Sequence, residues 1–121
     1  MMDKKEIEKY IKLYPRIDEE IKSLEDDLKF FGEKKIEYST RNFDDIIPEI
    51  DKGISEKKTE LSNMLKAKIK ISIALTNADN RCRNIIDLHF WKHKSWDDVG
   101  SEMSISGKHA QRVFSEFLRD L

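Results

Sequence analysis

From Ile7 the apolar positions fall at Ile7, Tyr10, Tyr14, Ile17, Ile21, Leu24, Leu28 and Phe31, in steps that alternate between three and four. That spacing returns to one face of an α-helix and is the seam of a coiled coil. The positions between are almost all Lys, Glu and Asp, so the other face is solvated. Pro15 conflicts with an unbroken helix, because it removes a hydrogen bond and costs about 3 kcal/mol in a helix interior. The pattern predicts either a kink there or a fresh helix starting near Tyr14, with a short separate helix before it. Gly32 then offers a C-terminal stop. Residues 33 to 45 show no period, and Ser39, Thr40, Asn42, Asp44 and Asp45 mark a connector, with Tyr38 and Phe43 tucked against the helix ends.

A second long helix is expected from about Asp45, with Pro48 in its first turn, where a missing N–H does no harm. Its seam is Ile47, Ile50, Ile54, Leu61, Met64, Ile71 and Leu75, with Lys57 and Lys68 in the two remaining heptad slots. Leu65, Ile69 and Ile73 widen the stripe, which points to more than one neighbour. Two long helices joined by a moderate loop pack economically as an antiparallel hairpin. An intermolecular coiled coil satisfies the same pattern, and both arrangements stay open.

Asn77, Asp79 and Asn80 interrupt the period and can cap a new helix. Ile85, Ile86, Leu88, Phe90 and Trp91 then make a strongly apolar helix, and His93-Lys94 turns the chain. Ser95 is placed as the next cap, with Asp98 in a capping-box position and Asp97 beside it, both favourable to the helix dipole. Ser106 caps the last helix, which runs through Phe114, Phe117, Leu118 and Leu121. Between Ser95 and Val113 every packing requirement of a helix-turn-helix is met. Gly100 is the small residue at the close approach and Val99 precedes it. Met103 and Ile105 flank the turn at Ser104, and Ala110 and Val113 face inward. The expected architecture is all-α. Residues 1–76 form a helical hairpin or coiled-coil pairing region, and residues 77–121 a three-helix domain containing the helix-turn-helix.

Composition narrows this further. In 121 residues, 39% charged and 38% hydrophobic, there is too little apolar material for a thick core, which suits long helices with a narrow seam. Lys plus Arg is 23 against 24 acidic residues, a formal charge of −1, where a nucleic-acid binder is usually more basic. The neutrality argues against a high-affinity monomeric DNA binder and leaves room for a dimer with a local basic face. Cys82 is the single cysteine, so no internal disulfide can form. The N-terminus lacks a signal-peptide pattern and no stretch could span a membrane, so the cytoplasm is the expected compartment.

Chemistry has little foothold. There is no glycine-rich phosphate loop, no nucleophile with a paired base and no carboxylate cluster suited to metal, so neither an enzyme nor a cofactor is expected. His89, His93 and Cys82 lie at helical spacing, but structural zinc wants four ligands more tightly spaced. Arg81 and Arg83 could touch phosphate or pair with Asp79 or Asp87, and the pairing is favoured. Trp91 and Trp96 read as packing residues.

The run Arg81-Cys82-Arg83-Asn84-Ile85-Ile86-Asp87-Leu88-His89-Phe90-Trp91 is followed by Lys94-Ser95-Trp96-Asp97-Asp98-Val99-Gly100 and by Ile105-Ser106. Together they resemble region 4 of bacterial sigma factors, and Phe117-Leu118-Arg119-Asp120-Leu121 resembles its closing turn. The same module behind a charged helical half is similar to phage regulators of the RinA and ArpU type, which control late or packaging genes. The resemblance covers residues 77 to 121, and the preceding residues only in general character. Gly100, where the family usually carries Ala, and Ser104, where it usually carries Gly, are departures.

In such a unit the recognition helix enters the major groove with its N-terminal outward residues. Here these are Ser106, Gly107, Lys108, Gln111, Arg112 and Ser115. Arg112 suits guanine and Gln111 adenine. Lys108 and Ser106 would hold phosphate, as would Lys92, Lys94 and the backbone N–H groups after Ser95. The expected partner is double-stranded DNA, bound by a homodimer, with RNA polymerase as a further partner. Two other readings fit the sequence: an adaptor that binds RNA polymerase or another host protein without DNA affinity, and a small terminase subunit.

Overall fold

The computed structural model describes residues 3–121, and no strand occurs among them. They form two compact units, one from Arg16 to Lys66, the other combining the residues up to Pro15 with Ala67–Leu121.

In the Arg16–Lys66 unit, α2 (Ile17–Thr40) is followed by a short 3-10 turn, Asp44–Ile46, and by the first part of α3 (Ile47–Asn77). Ile17, Ile21 and Leu24 of α2 are buried, as are Ile50 and Met64 of α3. Asp27 pairs with Lys57 at 3.4 Å and Lys35 with Asp51 at 2.7 Å, so the paired positions rise along α2 as they fall along α3. These ions are half exposed and each pair contributes at most about 1 kcal/mol. The apolar seam carries the unit.

Gly32 does not stop the helix, and the connector expected over residues 33 to 45 shrinks to residues 41 to 46. One glycine costs a helix only about 1 kcal/mol. Glu33, Lys34, Lys35, Ile36 and Glu37 after it resume the helix, and Lys34 adds a 3.0 Å bond to Glu37. Tyr38 and Phe43 do meet edge to face, 6.1 Å apart. Nothing lies within 4 Å of the place a Cβ would take on Gly32. Gly32→Ala should therefore stabilise the protein by roughly 0.5–1 kcal/mol, read as a higher urea midpoint with an unchanged m-value.

The other unit opens with α1 (Lys4–Leu13), capped by Asp3, whose carboxylate accepts from the Glu6 N–H at 2.9 Å. The break expected at Pro15 is present as a 3-10 turn, Tyr14–Arg16. Ile11, outside the predicted seam, is the most deeply buried residue of α1, at 1% exposure. After the last turns of α3, Asp79 caps α4 (Asn80–Ile86) by accepting from the Cys82 N–H at 2.8 Å. The apolar helix expected through Trp91 ends its α-form at Ile86. Asp87–Trp91 widens into a π-turn, with the Lys92 N–H reaching back to the Asp87 carbonyl at 2.9 Å. A π-turn adds one residue to the helical circuit. Adjacent aromatics can then serve different neighbours: Phe90 packs on Phe114 at 4.6 Å, while Trp91 stacks on Tyr14 at 6.2 Å. His93 closes the segment in the left-handed region (φ 59°).

Next come α5 (Trp96–Met103) and α6 (Gly107–Arg119). Ile85, Val99 and Ala110 are fully buried together, with Leu88, Trp96, Met103, Ile105 and Val113 packed around them. Phe114 and Phe117 extend this core along α6.

Candidate nucleic-acid interface

The connection from α5 to α6 is set by backbone chemistry. Ser104 adopts the left-handed conformation (φ 60°, ψ 37°), and the Ile105 N–H donates to the Gly100 carbonyl at 2.9 Å, closing α5. Glycine suits such a position because it has no Cβ to clash, and serine there costs about 1 kcal/mol. Gly100 lies against the incoming chain. A Cβ on it would sit 2.6 Å from the Ile105 carbonyl oxygen and 2.8 Å from the Gly107 nitrogen. Ser95 and Ser106 start their helices as expected, accepting from the Asp98 N–H at 3.1 Å and the His109 N–H at 3.0 Å.

On α6, Ala110, Phe114 and Phe117 are buried, whereas Lys108, Gln111, Arg112 and Ser115 are exposed. Lys108, Arg112 and Ser115 are four and three residues apart, so they share one face, and Gln111 flanks them. Between Ser106 and Ser115 every charged side chain is basic. Lys108 and Arg112 form no ion pair among the described residues, and Ser115 turns its hydroxyl back to the Gln111 carbonyl at 3.0 Å. The exposed edge is short, basic and rich in donors.

The surroundings of this edge are less favourable to an anion. Lys94 is held by Glu102 at 3.0 Å and Lys92 by Asp87 at 3.1 Å. A Cβ on Gly107 would run into the Asp97 carboxylate and lie 3.1 Å from the Trp96 carbonyl oxygen. Glycine is needed there for close packing, and a negative charge sits beside the first turn of α6. Neither Arg81 nor Arg83 takes the aspartate partners expected for them. Asp79 is used by the Cys82 N–H and Asp87 by Lys92. Arg83 instead donates to Asn80 at 3.0 Å, and Arg81 lies 3.4 Å from the His109 ring nitrogen on α6. The sequence carried no signal for the Lys94–Glu102 pair or for Asp97 at Gly107, since both arise only when α5 folds beside its neighbours.

Both tryptophans pack within the protein. Trp96 stacks on the His89 ring at 3.7 Å, and His89 Nδ1 donates to the Lys94 carbonyl at 2.7 Å. The imidazole thereby ties the end of the π-turn to the cap of α5. Cys82 is buried, and loss of hydration, followed by the nearby Asp79 charge, pushes its thiol up to about 11. A thiol held protonated in this way is a poor nucleophile.

The whole chain, residues 1–121, matches a family described as "Protein of unknown function (DUF722)", and it belongs to that family. Neither the curated proteins nor the solved structures contain a match.

Proposed function

We propose that this chain is a phage-type transcriptional regulator that binds duplex DNA through a sigma region 4-like helix-turn-helix formed by α5 and α6. One observation carries this reading: Val99, Gly100 and Ala110 turn inward together while Lys108, Gln111 and Arg112 stay exposed on α6. Such a face suits the major groove, with Arg112 and Gln111 toward base edges and Lys108 and Ser106 toward phosphate. The α2–α3 contacts suit an antiparallel hairpin, and this hairpin serves as the pairing element of a homodimer. Leu65, Ile69 and Ile73 support pairing, since all three apolar side chains stay exposed on α3. A dimer doubles the phosphate contacts and offsets the near-zero net charge.

Fluorescence anisotropy on DNA from upstream of its own gene, across a salt series, tests the reading. Affinity should fall as salt rises, and the Lys108→Ala/Arg112→Ala double variant should bind roughly tenfold more weakly, with little change in stability. No binding at low salt, or equal binding by the variant, overturns it.

A second reading, an adaptor that binds RNA polymerase without touching DNA, draws on the Lys94–Glu102 pair and on Asp97 beside α6. Both remove positive potential where phosphate would sit. Co-purification of polymerase from nuclease-treated host lysate, together with absent anisotropy change, would favour it.

A further inference from the structure

Between α1, the last turns of α3 and the end of α6 lies a cavity of about 220 Å³. Its floor is Tyr10, Ala67 and Ile71, all buried, and Ile7 and Leu118 wall it. Ala67 is fully buried in this floor, and a larger side chain there would intrude on the space. Lys70, Arg119 and Leu121 also line it, and no acidic side chain does. Neither of these cations forms an ion pair among the described residues, unlike Lys92 and Lys94. The larger groove of about 540 Å³ beside it, at the junction of α3 and α4, differs in charge. There Lys70 and Arg81 are mixed with Asp79, Glu116 and Asp120, so that groove selects no sign.

We infer that the smaller cavity is a binding site for a small apolar carboxylate. The apolar floor takes the hydrocarbon body, and Lys70 and Arg119 take the anionic end. A planar guanidinium matches a carboxylate in two parallel bonds, and a lysine adds a point charge. The volume holds roughly seven waters, or one organic molecule of about ten non-hydrogen atoms. Binding here is independent of whatever the exposed edge at the other end of α6 contacts.

Phenylacetate is a probe of that size, phenylacetamide is its neutral counterpart, and inorganic phosphate has charge without an apolar body. Titrations followed by amide chemical shifts should show saturable binding of phenylacetate at millimolar concentrations or below. The perturbations should centre on Tyr10, Ala67, Ile71 and Leu118. Phenylacetamide should bind about tenfold more weakly, and phosphate should leave these resonances in place. The exposed double variant Lys70→Gln/Arg119→Gln should erase the preference for the acid, and the filling variant Ala67→Val should weaken both organic probes. No saturation by phenylacetate, equal affinity for acid and amide, or shifts centred away from the cavity would each overturn the assignment.

Discussion

Gly100→Ala should destabilise the protein by about 3 kcal/mol, although alanine is the better helix former by about 1 kcal/mol. The added methyl would sit 2.6 Å from the Ile105 carbonyl oxygen, 2.8 Å from the Gly107 nitrogen and 2.8 Å from the Ser106 carbonyl carbon. All three are backbone atoms of the turn, so no side-chain rotation relieves the clash, and α6 must move away from α5. That movement pulls Ala110 from Ile85 and Val99, all fully buried in the native packing. It also strains the Ile105 N–H bond to the Gly100 carbonyl that ends α5. Urea unfolding would show the loss as a lower midpoint. Gly100→Val should be worse, and Gly32→Ala, a change of the same chemistry on the open α2 surface, should have the opposite sign. Equal stability of Gly100→Ala and the parent would mean that α5 and α6 are not held this closely.

The close approach at Gly100 was legible in the sequence because a steep helix crossing demands a small residue between flanking apolar ones, and Val99, Met103, Ile105, Ala110 and Val113 supply them. Glycine here goes with a turn near enough that even a methyl meets backbone. Ser95 and Ser106 were legible as caps for a related reason, since a short hydroxyl before an apolar period has few other uses, whereas Asp79 was one of three candidates with Asn77 and Asn80. Gly32 reads as a stop, but the helix formers around it outweigh a single glycine and α2 runs on to Thr40. The π-turn at Asp87–Trp91 left no trace in a period-based reading, because it shifts the phase of two aromatic positions that are apolar under either phase. The exposed edge of α6 follows from which side the core occupies. The ion pairs that engage Lys92 and Lys94 depend on how α5 meets the π-turn, which spacing does not encode.

Trp91→Ala should cost about 3 kcal/mol and act chiefly on α1. Pro15 has no N–H to give the carbonyl four residues before it, that of Ile11, so the group needs other donors. It finds two: the Tyr14 N–H within the 3-10 turn and the indole N–H of Trp91 at 2.8 Å. The same indole stacks on Tyr14, whose hydroxyl lies 2.7 Å from the Ser72 hydroxyl on α3. Removing the ring therefore deletes a hydrogen bond, a stacked pair and much of the apolar contact that holds α1. Trp91→Phe separates these contributions. It keeps a ring against Tyr14 and loses only the N–H, and because the Ile11 carbonyl still accepts from Tyr14, the cost should be about 1 kcal/mol. Amide exchange distinguishes local from global loss. In Trp91→Ala the amides of Tyr10 and Ile11 should exchange much faster, while those of Val99 and Ala110 keep protection close to the remaining global stability. Parallel loss at all four sites would instead make α1 and the α5–α6 pair one cooperative unit, so that pinning α1 through the indole is inseparable from forming the exposed edge of α6.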